Sequence, residues 1–431
     1  MTSLAPSRPR GLWYHGWNIV VLVVLSQIAA NGLALNSMSL FLQDWSRDLH
    51  APISALLLAT LPFAIVISLS SPFIGMFADK YPARLLIASG LIGIVIFCLL
   101  MSVANATWQI WVLYGSFFPI SLGLCGLATV NAVVSRWFIR RIGLALGITA
   151  LGSALGGVIL PPIIAEIMPA IGWRSVWRGA ALVTAVVILP LVLWIVRDRP
   201  AERDGLHYLG GATHAHGAQS AEDLRSTDIL KRRNFWLLVV CYTPVLGLNG
   251  AVQQNIAPIA ASHGFDQSTA GMLLAVFSVS QMFAILLLGL ASDRFGNRLP
   301  LASLSVAVTA GAIFLTFGDS LPPLVAGSVL IGFAGGIWTL MPAAVAAEFG
   351  ASGVGRAFGM LMFFLPISAL ASSLMAKIQE STGSYAPALM GVSALCLAGG
   401  AAILFMRERR GGHLTPAEEE AAREETLIPF G

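Results

Sequence analysis

The stretch Gly289-Leu290-Ala291-Ser292-Asp293-Arg294-Phe295-Gly296-Asn297-Arg298 closes one long apolar run and opens the next. Gly75-Met76-Phe77-Ala78-Asp79-Lys80-Tyr81-Pro82-Ala83-Arg84 does the same 214 residues earlier (289 − 75), so both read G-x-x-x-D-[KR]-x-x-x-R. Each residue type has a reason to stand there. Glycine lets two helices approach closely at a membrane face. The aspartate can face a helix N-terminus or a basic neighbour, while the Lys and Arg side chains stay in the headgroup region. Two copies at one spacing, each at the exit of an apolar run, mark an internal duplication.

Composition says what the duplicated unit is. The chain has 431 residues, 57% hydrophobic and 11% charged, with a mean hydropathy of +0.81. A soluble domain carries about 25% charged residues. The deficit means that most of the surface faces something other than water. A membrane span needs about 20 mainly apolar residues. Twelve stretches qualify: 17–42, 52–77, 85–103, 108–134, 143–168 and 176–196, then 235–260, 268–291, 299–317, 321–347, 355–376 and 386–406. The expected fold is an all-α polytopic membrane protein, twelve transmembrane helices forming two pseudo-symmetric six-helix bundles. Its layout is a cytoplasmic N-terminus (1–16), an N-terminal bundle (17–196), a linker (197–234), a C-terminal bundle (235–406) and a tail (407–431).

The first apolar run follows Arg8 and Arg10 but is too long for a signal-peptide core, so it reads as a retained span. Orientation follows the basic residues. With the N-terminus inside, all but four of the 25 Lys and Arg residues are cytoplasmic; Arg47, Arg174, Arg178 and Lys377 are the exceptions. Both termini are therefore expected in the cytoplasm and the protein in the plasma (inner) membrane. The net charge of +4 is then an insertion signal, not a nucleic-acid footprint. Cys98, Cys125, Cys241 and Cys396 lie singly in different apolar runs and read as small buried hydrophobes. His214 and His216 fall in a glycine-containing linker and read as solvated. Neither a metal nor a cofactor is expected, and no nucleophile or acid/base constellation supports an enzyme. The tail stretch PAEEEAAREE reads as a short solvated helix.

With these residues in view, the chain resembles the major facilitator superfamily, whose signature between helices 2 and 3 is G-x-x-x-D-[RK]-x-G-x-[RK]. The second copy carries Gly296 at the family's glycine; the first carries Pro82 there. Gly172-Trp173-Arg174 is similar to the same superfamily. The resemblance spans the whole chain. It implies two halves rocking around a central cavity, with a site near the midplane. It also implies that Asp79, Lys80, Arg84, Asp293, Arg294 and Arg298 are conformational latches, joined by Glu348 and Arg356 flanking the loop between spans ten and eleven.

Trp137-Phe138-Ile139-Arg140-Arg141-Ile142-Gly143-Leu144-Ala145-Leu146-Gly147 resembles the monocarboxylate-porter pattern [YF]-F-x-K-R-R-x-L-A-x-G, and the oxalate/formate exchangers as well. That likeness implies a small carboxylate moved by proton symport or anion exchange. Porters of this kind carry an Asp and an Arg in span eight; counting back from Gly289 puts Gln281 and Ile285 there. The alternatives are an exporter of apolar or drug-like compounds, echoed by Gly152 and Gly156 in span five, and a transporter-like solute sensor that moves nothing.

Without a cation in the middle of any span, amides and aromatics become the candidate ligands. Asn31-Gly32-Leu33-Ala34-Leu35-Asn36 in span one and Asn249-Gly250-Ala251-Val252-Gln253-Gln254 in span seven lie 218 residues apart (249 − 31), close to the loop spacing. An amide facing lipid costs several kcal/mol unless hydrogen-bonded, so both segments are expected to face protein or a wet cavity. Asn249 and Gln253 share a helix face. The candidate ligand set is Asn31, Asn249, Gln253, Gln281, Tyr114 and Trp338. The expected partners are a small-molecule substrate, membrane lipid, and protons or a counter-anion, with the chain acting as a monomer.

Overall fold

The computed structural model describes residues 15–126, 129–130, 133–134, 137–138, 142–197, 226–318 and 320–406. Expectations for the N-terminal segment before His15, most of the linker, the tail and the pair Arg140-Arg141 lie outside these, as do the side chains of Asp79, Asp293 and Arg356. Among the described residues, twelve helices are long and apolar enough to cross a membrane. They are α1 (His15–Asn36), α2 (Ile53–Ser71), α3 (Ala83–Ser102), α4 (Thr107–Cys125), α5 (Gly147–Ile171) and α6 (Trp173–Ile195) in the first half. The second half holds α7 (Arg233–Ser262), α8 (Gln267–Ser292), α9 (Arg298–Phe317), α10 (Leu321–Phe349), α11 (Ala357–Thr382) and α12 (Ala386–Ile403). Lipid forces every backbone group to be satisfied within the chain, which is why apolar runs of this length become helices. An even number of spans puts the start of α1 and the end of α12 at one end of the bundle. That end is called terminal below, and the opposite one distal.

Prolines sit inside these helices, among them Pro161 and Pro162 in α5, Pro244 in α7 and Pro342 in α10. Such interruptions are tolerated where neighbouring helices satisfy the freed carbonyls. Among the described residues, three of these helices contain a π turn: Gly32–Asn36 in α1, Leu113–Phe117 in α4 and Thr184–Ile188 in α6. The first two support each other. Ser37 Oγ donates to Gly32 O at 2.7 Å, and Tyr114 Oη, inside the α4 turn, donates to Ala34 O at 3.1 Å. The core of the first half is aromatic, with Trp45, Phe97, Phe118 and Trp177 ringed around Tyr114.

One expected loop is absent. Residues 337–362 form a single helix running from α10 into α11, so Glu348 and Arg356 flank helix and not a loop. The α5–α6 turn does bend sharply, with Gly172 at φ +77°, where a side chain would be strained. Beyond it Arg174 binds Asp48 at 2.6 Å and lies over the Trp173 ring at 4.1 Å. Trp173 Nε1 also donates to Asp48.

The two halves meet through contacts that begin at the distal end. Ser54 donates from its backbone N–H and its hydroxyl to Glu380 at 2.9 and 2.7 Å, and its carbonyl accepts from Ser373 at 2.9 Å. Deeper along α2 and α11, Thr60 donates to Ala369 O and Ser68 to Met362 O. Ser39 Oγ accepts from Ala257 N at 2.8 Å, and these two positions are also 218 residues apart (257 − 39). A pseudo-twofold axis therefore passes between α1 and α7. On the opposite flank α5 and α8 approach through glycine: a Cβ at Gly271 would lie 2.6 Å from Ala165 Cβ and 2.9 Å from Pro161 O.

Candidate functional site

The seam between α1 and α7 brings polar side chains of the two halves into contact. Asn36 ends the π turn of α1, which turns its carboxamide towards α5 and α7. Its Nδ2 donates to Ser153 O at 2.8 Å, and its Oδ1 accepts from Gln253 Nε2 at 3.2 Å. A side chain at Gly157 would collide with Ser278 Oγ and fall 3.1 Å from Asn36 Nδ2, so α5, α8, α1 and α7 converge here. Next to Gln253, the Gln254 Oε1 atom is buried without a hydrogen-bond partner. One turn towards the terminal end, a Cβ at Gly250 would meet nothing within 4 Å, so this face of α7 opens on free space.

The walls below the seam follow from exposure. Trp338 is 40% exposed on α10, in a helix otherwise mostly buried, and its ring meets Tyr242 of α7 edge-on at 6.3 Å. Tyr242 Oη and Thr243 Oγ1 have no hydrogen-bond partner. Gln281 stands half-buried on α8 against Gly335 of α10. No Asp, Glu, Lys or Arg falls in the middle third of any of the twelve spans. The arrangement can hydrogen-bond and stack, but it brings no formal charge to a solute.

The expected ligands divide on this geometry. Gln253, Gln281 and Trp338 fall at the seam or on the walls below it. Asn31 does not reach it: its Nδ2 donates back to Gln27 O and Gln27 Oε1, both at 3.1 Å. Asn249 is 4% exposed and donates to Ile331 O at 2.9 Å, tying α7 to α10 within one half. Tyr114 is 2% exposed inside the aromatic core. The residues the sequence analysis passed over are Asn36, Ser153, Gln254 and Ser278. The signal for Asn36 was present, as the second amide of the same Asn31–Asn36 run.

The latch positions sit at the terminal end. Lys80 lies over the Tyr81 ring at 5.8 Å and Arg294 over the Phe295 ring at 5.5 Å, so the two copies repeat the same contact. Arg84 Nη1 donates to Leu193 O and Arg298 opens α9, both within their own halves. Glu348 accepts from Asn234 Nδ2 at 2.8 Å and faces Arg232 Nη1 at 3.7 Å, again inside one half. Outside the spans, hydrogen bonds from Trp173 and Arg174 hold the Asp48 carboxyl below its usual value, whereas burial pushes Asp44 up.

Two pseudo-symmetric six-helix halves, meeting at an uncharged polar seam, define the class of a twelve-span membrane carrier. The sequence profile of the Major Facilitator Superfamily matches residues 22–255 and again 245–430, and the chain belongs to that family. An MFS-type transporter of Gibberella moniliformis is 25% identical over 357 residues, covering 80% of each chain. The fujikurins efflux protein of Gibberella fujikuroi is 24% identical over 388 residues, 86% of this chain and 78% of that one. Among solved structures, a bacterial homolog of the human lysosomal transporter Spinster, inward-facing and unoccupied, superposes with a TM-score of 0.69. It shares 15% identity and covers 91% of this chain and 97% of its own. A mutant of the nucleoside transporter NupG gives a TM-score of 0.74 at 12% identity, covering 91% of this chain and 100% of its own. These two likenesses speak for the fold.

Proposed function

We propose that the protein is a secondary active transporter that moves a small, uncharged organic solute across the plasma membrane by alternating access, with both termini cytoplasmic. The single observation that carries the substrate class is the chemistry of the seam. Asn36, Gln253 and Gln281 offer amide donors and acceptors, Trp338 offers a ring face, and among the described residues no charge falls in the middle third of a span. A solute with one or two hydrogen-bonding groups on an apolar body matches that set, since each unpaired amide in a dry cavity discriminates strongly against a partner that lacks the matching group. On this reading the distal contacts between the halves mark the inward-facing member of the cycle, and the layout of 17–196 and 235–406 joined by 197–234 gives two bodies that rock against each other. A relative named as an efflux protein favours export as the direction.

A second reading keeps the carboxylate substrate, with proton symport or anion exchange. The Trp137–Gly147 run favours it, and amide donors can hold a carboxylate at the cost of a desolvated charge. Purified protein in proteoliposomes separates the two. Under the first reading, uncharged amphipathic solutes stabilise the protein against heat and exchange across the bilayer, and Gln253→Ala weakens both effects by about ten-fold, the size of one lost hydrogen bond to a buried group. Saturable uptake of monocarboxylates or dicarboxylates driven by a pH or counter-anion gradient, with no response to neutral solutes, would sink it. Saturable binding with no flux of any solute would make the chain a sensor.

A further inference from the structure

The two halves close the distal end with unequal means. Pro52 precedes α2 and Asp266 precedes α8, and these positions are 214 residues apart (266 − 52), the spacing of the loop repeat. Asp266 caps its own helix: its side chain accepts from Thr269 N at 3.0 Å and from Thr269 Oγ1 at 2.6 Å. The proline side chain has no acceptor, and no side chain of its own segment caps the helix that begins at Ile53. Its free backbone donors must find a partner elsewhere. Ser54 N–H finds it on the other half, in Glu380, and the Ser54 hydroxyl and carbonyl also bond to α11.

Glu380 is placed against the grain of its own helix. It lies in the last turn of α11, which ends at Thr382, where the negative end of the helix dipole disfavours an anion. Against the N-terminus of α2 the same carboxylate is favoured. We infer that Glu380 is a helix cap supplied in trans, and that it acts as a positioning residue holding the transporter distal-closed. When the halves part at the distal end, α2 loses its cap and Glu380 is left at the wrong end of α11. Both penalties fall on the distal-open state and neither on the distal-closed one. The α8 side carries no such bias, because Asp266 travels with the helix it caps.

This inference rests on the alternating-access reading. Its test uses the full chain in nanodiscs with spin labels at Asn105→Cys and Ser320→Cys, exposed distal positions in different halves, and reads the ratio of closed to open distances. Glu380→Ala is expected to move that ratio about five-fold towards open, the scale of one lost N-cap. Glu380→Gln, which keeps an acceptor but loses the charge, is expected to shift it less and to remain folded. Pro52→Asp added to Glu380→Ala gives α2 a cap in cis; it is expected to restore thermal stability while leaving the ratio shifted. Two populations in the parent protein with an unchanged ratio in Glu380→Ala and Glu380→Gln would overturn the inference alone. A ratio restored by Pro52→Asp would reduce Glu380 to a structural cap and overturn it too. One immobile distance in every variant would overturn the alternating-access reading along with it.

Discussion

The seam between α5 and α8 and the seam between α2 and α11 are pseudo-symmetry mates, yet they are built from different chemistry. The first is close-packed through glycine. Gly271 lies against Pro161 and Ala165, and Gly157 against Ser278, with no room for a methyl group at either position. The second is a ladder of hydrogen bonds from Ser54 through Thr60 to Ser68, a length of fourteen residues (68 − 54). Close packing of backbones resists sliding and tolerates small rotations, whereas single hydrogen bonds break and re-form at low cost in a membrane. Under the alternating-access proposal, the α5–α8 seam takes the part of a fulcrum and the α2–α11 seam the part of a zip.

Filling the fulcrum is the harshest way to break that comparison. Gly271→Leu drives a side chain into Pro161 O and Ala165, which cannot be accommodated without pushing the helices apart. The expected cost is about 3 kcal/mol of stability, the upper range for overpacking, with transport lost. Thermal unfolding in detergent and proteoliposome flux check both. A variant with native flux would show that α5 and α8 separate during the cycle, and the fulcrum assignment would fail.

Asn249 and Gln253 sharpen the comparison, because one binds inside a half and the other between halves. Asn249→Ala removes the interhelical amide donor to Ile331 O, which keeps its bond from Ala334 N–H, and is expected to cost about 1–2 kcal/mol of stability, as interhelical amides do, while solute affinity stays within two-fold. Gln253→Ala frees Asn36 Oδ1 and is expected to do the reverse. Paired thermal-shift and binding titrations decide between the two. A large loss of affinity in Asn249→Ala would return that amide to the site.

The same pair shows what the sequence could and could not disclose. The twelve spans were legible because lipid demands about twenty apolar residues per crossing and almost nothing else. The duplication was legible from its two loops, and the offset near 218 led to the two segments that meet at the α1–α7 seam, the Asn31 and Asn249 runs. It did not single out the side chains that touch there. A π turn at Gly32–Asn36 adds a residue to the helical register, so Asn36, and not Asn31, comes to face the other half. Nothing in the pattern of apolar residues marks such a turn. The continuous helix over 337–362 was hidden for a related reason. Glu348 and Arg356 look like loop residues by charge, but helix propensity does not oppose either of them.

Asp48 offers a milder probe at the distal rim of the first half. Its carboxyl is held low by Trp173 and Arg174, so its contribution is present above the unfolded value near 3.8 and is lost as pH falls below that, through the lowered folded value. The pair is exposed enough for solvent to screen it, and the effect is expected to stay below about 1 kcal/mol. Asp48→Asn should flatten the acid limb of the stability curve without changing flux at neutral pH.

The smallest effect is expected at Ser68, the terminal end of the zip. Its hydroxyl makes one bond, to Met362 O, and Ser68→Ala removes that bond without creating a cavity larger than an oxygen. A hydrogen bond of this kind is worth about 0.6 kcal/mol in a membrane. That is too little to unfold the protein and enough to move a two-state equilibrium about three-fold. If the α2–α11 seam is a zip, the shift appears in the ratio of distal-closed to distal-open populations while the melting temperature barely moves. If the seam is static, the melting temperature falls and the ratio does not change. Because Ser68 lies farthest from Glu380 along the same ladder, a shift there would also show that the zip opens along its full length and not at its distal end alone.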